Sequence, residues 1–303
     1  MKTPKALMFE MKSAFRNIWR INERIDELKI NQGLILSAFN ETRNSTNLAD
    51  YEFKVFSQWG EDGIIQYLSK TIEIKHKTFI EFGVESFMEA NCRFLLMKDN
   101  WSGYVIDASS SNISILKNSY FYWKYQIDAV DAFVTKDNIN GLLAKSLFDE
   151  DVGILSIDID GNDYFILEAI NTVRPRILIC EYNAVFGARK ISVPYEADFF
   201  RTTRHYSNLY WGASLSAITF LAKRKGYSLV GTNSSGCNAF FVRDDLLNEK
   251  VKVLTAEQAF LPSTIRQSRD RQGILSYLGG NDRLEAIRGL RVINVETKAV
   301  EEL

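Results

Sequence analysis

Acidic residues stand at the carboxyl ends of four short apolar segments of this 303-residue chain. They are Glu81, Asp107, the pair Asp158 and Asp160, and Glu181. Carboxylates accept hydrogen bonds from ribose hydroxyls, ligate Mg²⁺ and exchange protons, so a cleft that collects several of them is equipped for chemistry. One such acid would be weak evidence, whereas a series at equivalent places predicts a common site.

The first of these segments continues into Gly83, which indicates a place where backbone approaches a ligand closely, because no Cβ intrudes. Asp107 follows at about the distance at which a carboxylate meets ribose hydroxyls in nucleoside-binding folds. Asp128, after a third segment, is placed to receive an adenine amino group. The residues after Gly83 lack the further glycines that cradle a pyrophosphate, which disfavours NAD and FAD and favours S-adenosylmethionine.

Two interpretations of the proton transfer remain open. His205 is a candidate general base, because the reference pKa of histidine lies near neutrality. The alternative is a Mg²⁺ ion held by Asp158, Asp160, Glu181 and Asn183, which would lower the pKa of a bound hydroxyl. Alternation along an extended segment points Asp158 and Asp160 to the same side, as a metal site requires.

Strands and helices alternate from residue 78 onward, and these elements must position the acids. The predicted strands are 78–84, 103–107, 125–127, 153–159, 176–182, 228–232 and 239–243, and helices are predicted over 90–98, 137–148, 163–170 and 214–225. This order predicts an α/β fold with a mostly parallel sheet and helices on both faces. Ligands of such sheets bind at the carboxyl ends of the strands, beside the topological switch point.

A long N-terminal helix is predicted over residues 5–38. Its apolar residues repeat every three or four positions, with Gln32 filling one position of the seam: Ile18, Ile21, Ile25, Leu28 and Ile35. The pattern favours a short intersubunit pairing. Packing on its own domain is the alternative, and contact with a membrane surface is a third, because the first half is basic. The polar segment 40–47 reads as a linker.

These features divide the chain into a helical arm (1–48), a core domain (49–247) and a C-terminal extension (248–303) to which we assign no chemistry. A formal net charge of −1 argues against nucleic-acid binding. Three widely spaced cysteines indicate a reducing compartment. We find no apolar run of the ~20 residues that span a membrane and no secretory signal, and therefore expect a cytoplasmic protein without a transmembrane segment.

Two motifs resemble segments of FkbM-type methyltransferases. Residues 56–62 (FSQWGED) resemble the SQ-x-GED entry segment of that family, and residues 157–161 (IDIDG) resemble its K-I-D-V-E-G segment. The resemblance covers about residues 50–245. It implies a Rossmann-like class I fold that uses S-adenosylmethionine, and usually O-methylation of sugars or related natural products.

The resemblance also implies roles for individual residues. Gln58 and Glu61 would lie near the cofactor pocket, Glu81 and Gly83 would form the first cofactor loop, and Asp107 would hold the ribose. Asp158, which also contacts the cofactor in this interpretation, and Asp160 would face the reacting end. The chain departs from the family in lacking a second loop glycine and in carrying Ser156 where the family has lysine.

The sequence thus favours an S-adenosylmethionine-dependent O-methyltransferase acting on a sugar or glycan hydroxyl in surface-polysaccharide or natural-product biosynthesis, with Mg²⁺ as an optional cofactor. It is expected to form a homo-oligomer through the N-terminal helix. Two alternatives stay open: a nucleotide-sugar or NAD-dependent enzyme on a Rossmann-like fold, and a non-catalytic assembly module that retains the fold.

Overall fold

The computed structural model describes the backbone of residues 4–303 and the side chains of residues 8, 9 and 20–303. The helices are α1 (Pro4–Glu41), α2 (Glu61–Thr71), α3 (Arg93–Asp99), α4 (Ser110–Lys117), α5 (Ile139–Ala144), α6 (Asp163–Ala169), α7 (Arg201–Arg204), α8 (Leu215–Arg224), α9 (Ala256–Ala259) and α10 (Asn281–Glu285). The strands are β1 (Thr78–Phe82), β2 (Ser102–Asp107), β3 (Ile127–Asp131), β4 (Ile154–Ile157), β5 (Ile177–Glu181), β6 (Ile191–Ser192), β7 (Tyr227–Thr232), β8 (Asn238–Arg243), β9 (Arg291–Asn294) and β10 (Val300–Glu302).

The central sheet has seven strands in the order β3-β2-β1-β4-β5-β8-β7. The first five are parallel, and β8 is antiparallel to both of its neighbours. The chain order reverses between β1 and β4, so the switch point lies between these two strands. The expectation of a mixed α/β fold with the class I methyltransferase sheet, preceded by a long helix, is confirmed.

Helices cover both faces of this sheet, because its strands are apolar on both sides. Ile80 and Phe82 of β1 pack with α5, α6 and α8 on one face, whereas Phe79 packs with α2, α3 and α4 on the other. Successive residues of a strand point to opposite faces, so each inner strand contributes to two cores. The sheet is therefore a rigid frame whose carboxyl edge carries the predicted acids.

Helix α1 packs on the core through one face and exposes the other. Asp26 of this helix forms a buried ion pair with Arg93 of α3, at 2.5 Å, and Tyr120 donates to the same carboxylate at 2.6 Å. The seam residues Ile21, Ile25, Leu28 and Ile35 lie on the opposite face and are exposed; the side chain of Ile18 lies outside the described residues. Among the described helices, none has the length and apolarity needed to cross a bilayer.

The C-terminal extension packs against the core. Strands β9 and β10 form a second sheet with β6, and Val295 joins the main core. The segment 261–283 follows the carboxyl edge of the central sheet, where Thr264 N–H donates to Ser235 at 2.9 Å and Arg269 N–H donates to Ser207 at 3.2 Å. The extension therefore reaches the predicted site.

Candidate active site

A pocket of about 600 Å³ opens at the carboxyl edge of the sheet, across the switch point. The ends of four neighbouring strands and two later segments form its walls: Gly83, Glu85, Ile106–Ser109, Ala132–Val134, Asp158–Asp160, Asn162, Phe199–Thr202, Asn208 and Gln267. This volume lies within the range of cofactor pockets. The structure therefore brings Gly83, Asp107, Asp158 and Asp160 together, as the strand-end pattern predicts.

Gly83 joins the first strand end to the fourth. Its φ is +69°, and a Cβ at this position would lie 1.6 Å from the carbonyl oxygen of Asp158. Any other residue would both adopt a disfavoured backbone conformation and collide with the end of β4. The absence of a side chain thus lets the two loops touch and form the floor of the pocket.

Asp107 sits at the end of β2 and is almost fully buried. Its Oδ2 accepts from the Glu85 N–H at 2.7 Å, and its Oδ1 accepts from the Ser109 N–H at 2.8 Å. These bonds fix the carboxylate beside the first loop, and each oxygen keeps a further lone pair for a ligand hydroxyl. Asp107 can therefore hold a ribose from the position that the sequence assigns to it.

The loop after Gly83 takes a strained path in place of a second glycine. Glu85 and Phe87 have positive φ values of 46° and 62°. Phe87 is fully buried between Phe79 and Phe121, and this packing offsets the cost of the left-handed conformation. The loop geometry is thus held by aromatic packing, which the sequence motif alone does not reveal.

Glu81 lies outside the pocket, which corrects its expected position. Its two carboxylate oxygens accept from the backbone N–H groups of Asn91 and Cys92 at 2.7 and 3.0 Å. Burial raises the pKa of Glu81 to about 7. Because its carboxylate points to the far end of the loop, Glu81 anchors the loop and does not face a ligand.

Asp128 is also misplaced by the sequence prediction. The third strand extends to Asp131, and Asp128 is its second residue, exposed and away from the pocket. The residues that do line the pocket after this strand are Ala132, Phe133 and Val134. Phe133 lies 5.3 Å from the Phe200 ring, centroid to centroid, so an aromatic pair covers this side. In the sequence, only the apolar residues that follow β3 indicate this aromatic side of the pocket.

The motif at residues 56–62 forms a clamp and does not line the pocket. Gln58 is exposed. Glu61 is buried, and its Oε1 accepts from the side-chain amides of Asn233 and Asn238 at 2.6 and 2.9 Å. Asp62 Oδ2 accepts from the backbone N–H groups of residues 55–57. Glu61 therefore ties the start of the core domain to the β7–β8 turn, and Asp62 fixes the loop 55–57 that precedes α2.

Three carboxyl groups converge beyond the pocket floor. Oxygens of Asp158, Asp163 and Glu181 all lie within 4.8 Å of one another. Burial, followed by repulsion from neighbouring acids, raises the pKa of Asp158 and of Glu181 well above the ordinary values. Burial likewise raises the pKa of Asp163 to about 6, against hydrogen bonds from the backbone of Ile159 and Gly161. These shifts favour the protonated forms of the three acids, and such perturbed carboxyl groups are typical of functional sites.

Asp160 and Asn183 do not join this cluster, which corrects the predicted metal ligands. Asp160 has φ +57°, so the segment is not extended there, and its carboxylate turns to Arg201 Nη1 at 2.7 Å. The Asn183 amide donates to the carbonyls of Leu209 and Trp211 at 2.9 and 2.8 Å. Asp163, the first residue of α6, takes their place.

The cluster fits a hard divalent cation in its donor chemistry. It offers oxygens from three carboxyl groups, the ligands that Mg²⁺ prefers. Glu181 Oε2 is buried and has no hydrogen-bond partner among the described residues, so it can accept a cation or a proton. Asp163 is the weakest donor, because both of its oxygens already accept backbone N–H groups, from Ile159 and Gly161.

His205 is not among the pocket-lining residues. Its Nδ1 lies 2.8 Å from the Ser207 hydroxyl, and its ring packs 4.2 Å from that of Tyr206. Burial and then the charge of Arg271 lower its pKa. Both effects favour the neutral imidazole, which is engaged with its own loop, whereas Arg201 and Asn208, on either side of it in sequence, line the pocket.

The C-terminal extension contributes Gln267 to the pocket wall, and the segment 199–208 contributes Phe199 to Thr202. The sequence of the extension indicates no chemistry, because its charged residues resemble an ordinary solvated surface. Only the hydrogen bonds that attach the segment 261–269 to the sheet edge reveal its position. The hydrogen bond from Arg269 N–H to Ser207 places this segment beside Asn208.

No protein-family model matches the chain, and no curated protein matches it. Solved structures are similar to parts of it. M. capricolum TrmK in complex with S-adenosylhomocysteine is 13% identical, covering 61% of this chain and 71% of that chain at a TM-score of 0.35. The Bacillus cereus O-methyltransferase in complex with S-adenosylhomocysteine is 11% identical, covering 70% and 88% at 0.38. A Clostridium acetobutylicum S-adenosylmethionine-dependent methyltransferase is 10% identical, covering 60% and 89% at 0.40. The fold is therefore assigned from the order of the strands in the central sheet.

Proposed function

We propose that the protein is an S-adenosylmethionine-dependent O-methyltransferase. The observation that carries this proposal is the pocket at the switch point, in which Gly83 permits contact between two strand ends and Asp107 presents a fixed carboxylate. A ribose fits the carboxylate. The loop after Gly83 offers no glycine-rich cradle for a pyrophosphate, which favours a phosphate-free nucleoside over NAD.

The chain's own residues would position an acceptor and remove its proton. S-adenosylmethionine supplies a methyl group already activated for displacement. Asp107 orients the nucleoside, and the Phe133 side of the pocket covers its base. Asp158 reaches the pocket from the acid cluster, so it is the residue best placed to take a hydroxyl proton and pass it toward Glu181.

A divalent cation is the second candidate for activating the hydroxyl. The orphaned Oε2 of Glu181 favours it, together with the convergence of Asp158 and Asp163. Mg²⁺ in this cluster would lower the pKa of a nearby hydroxyl. In that case the three carboxyl groups would act as ligands, and none of them would need to be the base.

The FkbM-type assignment, a sugar or glycan acceptor and a cytoplasmic location are further parts of the proposal. The two sequence motifs support the first two parts, and three free cysteines are consistent with a reducing compartment. The wall of aromatic, arginine and amide side chains, from Phe199 to Gln267, suits a polar acceptor.

A calorimetric titration tests the cofactor assignment. S-adenosylmethionine and S-adenosylhomocysteine are expected to bind, NAD is expected not to, and Asp107→Ala is expected to weaken S-adenosylhomocysteine binding by tenfold or more, about 1.4 kcal/mol. Asp128→Ala is the matched control, because this acid lies outside the pocket. Binding of NAD alone, or an unaffected Asp107→Ala protein, would refute the assignment. Titrations with and without Mg²⁺ decide the role of the acid cluster.

We also propose that α1 pairs with α1 of a second copy of the chain. Its exposed face carries the seam Ile21, Ile25, Leu28 and Ile35, and the opposite face is already occupied by the core. Gln32 places a polar amide in this seam. A second helix with the same repeat offers hydrogen-bond partners to that amide, whereas the apolar interior of a membrane does not. The helix is already fixed by Asp26, so pairing requires little further ordering.

Analytical ultracentrifugation tests this pairing. We expect a dimer for the natural sequence and a monomer for a protein with Ile25→Lys and Leu28→Lys, because charges in the seam repel. Ile115→Lys, which changes an exposed isoleucine of α4, is the control and should leave the dimer intact. A monomeric natural protein that instead sediments with phosphatidylglycerol vesicles would contradict pairing and favour membrane contact.

A further inference from the structure

A second pocket, of about 560 Å³, lies between the helical arm and the core domain. Three parts of the chain form it: the end of α1 with the linker that follows, the second half of α2, and residues 249 and 250 near the start of the C-terminal extension. Its volume lies within the range of small-molecule sites. This pocket and the candidate active site have no lining residue in common.

Helix α2 runs from one edge of the central sheet to the other and so separates the two pockets. Its first residue, Glu61, is bonded to Asn238 at the start of β8, on the carboxyl edge. The carbonyl oxygen of its last residue, Thr71, accepts from the Asn248 side-chain amide at 3.0 Å. Asn248 follows the end of β8, which is antiparallel to β5, so Thr71 lies at the amino edge. The second pocket is therefore a site distinct from the first.

Charges of both signs surround the second pocket, which disfavours a charged ligand. Its lining includes the acids Glu41 and Glu249 and the bases Arg43, Lys70 and Lys250. In addition, α1 and α2 both end beside it, and the carboxyl end of a helix carries partial negative charge. An anion would meet two carboxylates and two helix ends, whereas a cation would meet three basic side chains. A neutral polar molecule avoids both kinds of repulsion.

The other lining groups suit a molecule that is rich in hydroxyls. The half-buried ring of Tyr67 lines the pocket and stacks on Tyr51, with the centroids 3.8 Å apart. A fixed aromatic ring of this kind packs against the apolar face of a sugar. Side chains with hydroxyl and amide groups can donate to and accept from sugar hydroxyls. Those in the lining are Ser37, Asn40, Asn44, Ser45, Thr46 and Thr71.

We propose that the second pocket binds a neutral saccharide, apart from any acceptor bound at the carboxyl edge. The saccharide contacts the arm, the core domain and the extension at once, so it fastens the arm to the core. Such a ligand stabilises the folded chain, because its site exists only when the three parts are together. This inference goes beyond methyl transfer and does not depend on it.

A glycan array followed by calorimetry tests the proposal. An array of neutral and acidic oligosaccharides selects the probe, and the neutral oligosaccharide that binds best is then titrated into the full chain. Tyr67→Leu should weaken its binding by about tenfold, because the ring that packs on the sugar is lost. Tyr122→Leu is the matched control, since it changes a half-buried tyrosine that does not line this pocket, and it should have no effect. Binding of acidic oligosaccharides only, or of none, overturns the proposal.

Two further variants locate the binding within the molecule. Asn44→Trp introduces a large side chain at an exposed position of the pocket lining and should also weaken binding, so the test does not depend on Tyr67→Leu alone. Gln267→Ala, in the candidate active site, should leave the affinity unchanged. Binding that is lost in Gln267→Ala but retained in Tyr67→Leu and Asn44→Trp would place the oligosaccharide at the carboxyl edge and refute the second site. A protein that binds no S-adenosylhomocysteine would refute the proposed function instead.

Discussion

Charged side chains pair with opposite charges at the amino edge of the central sheet, whereas acids cluster with one another at its carboxyl edge. At the amino edge, Asp151 accepts from Arg176 at 2.5 Å and from Arg243 at 2.8 Å. The hydrogen bond from Arg176, with further contributions from Arg243, lowers the pKa of Asp151 to about 2. Every charge in this group has a partner, so the group joins the starts of β4 and β5 to the end of β8.

At the carboxyl edge the acids face one another. Asp158, Asp163 and Glu181 crowd together, and the nearby cation, Arg201, is bonded to Asp160. Their pKa values are raised, because burial disfavours their charged forms. The same sheet therefore uses one edge for cohesion and accepts repulsion at the other, which is the arrangement expected of a functional site.

Asp158→Asn should have the largest effect, and it should fall on activity. We expect the rate of S-adenosylhomocysteine formation to decrease by roughly 10²- to 10⁴-fold, because the variant loses its proton acceptor. The free energy of unfolding should stay the same or rise, since like-charge repulsion is relieved. The rate of S-adenosylhomocysteine formation is measured with a sugar acceptor, and stability is measured by urea unfolding. A marked loss of stability with full turnover would reverse our view of the carboxyl edge.

Asp151→Asn should show the opposite behaviour. We expect the free energy of unfolding to fall by about 2 kcal/mol, because Arg176 and Arg243 lose their shared anion. Turnover should be unchanged, as this edge lies far from the pocket. Asp245→Asn is the control, since it removes a more exposed partner of Arg243 and should cost less. Equal costs for the two variants would show that the Asp151 network is not special.

The stabilisation by Asp151 should also depend on pH. Its folded pKa is about 2, below the ordinary value of 3.8, so the carboxylate stabilises the fold fully above pH 4. The stabilisation is lost as the pH falls from about 4 toward 2. Urea unfolding of the natural protein and Asp151→Asn from pH 7 to pH 3 should give midpoints whose difference narrows toward pH 3. A difference that grows on acidification would contradict the assigned pairing.

His205→Gln should have the smallest effect, a change in turnover of about threefold or less. The side chain contacts Ser207 and Tyr206 and does not line the pocket. Steady-state rates compared with those of Asp158→Asn decide between the two candidate bases. If turnover falls by a hundredfold with unchanged cofactor affinity, His205 is the base and the pocket must close around it.

The succession of strands and helices and the location of the site were predictable from the sequence, because both depend on local patterns. Apolar segments ending in an acid mark strands, and parallel strands bring their ends to one edge. Asp107, Gly83 and Asp158 meet as expected for this reason. The prediction for Asp128 was wrong because the sequence places the end of β3 four residues too early. Asp128 therefore lies within the strand and not in the loop that follows it.

The rest depended on contacts between distant segments. Asp160 leaves the cluster because one residue adopts a left-handed backbone, which a pattern of alternation cannot reveal. Asn183 is taken by carbonyls of residues 209 and 211, and Glu61 is taken by amides of residues 233 and 238. The arginines of the extension read as a solvated surface until the fold places them beside the sheet edge.

Different parts of the chain form different sides of the pocket, and the C-terminal extension contributes to one of them. Residues 83–134 build the half that contains Asp107, whereas residues 199–208 and Gln267 build another wall. Replacement of the segment 261–283 would therefore change the part of that wall that Gln267 forms and leave the half that contains Asp107 in place. A different C-terminal segment could therefore change which acceptor such a protein binds, while the half that is proposed to bind the methyl donor stays unaltered.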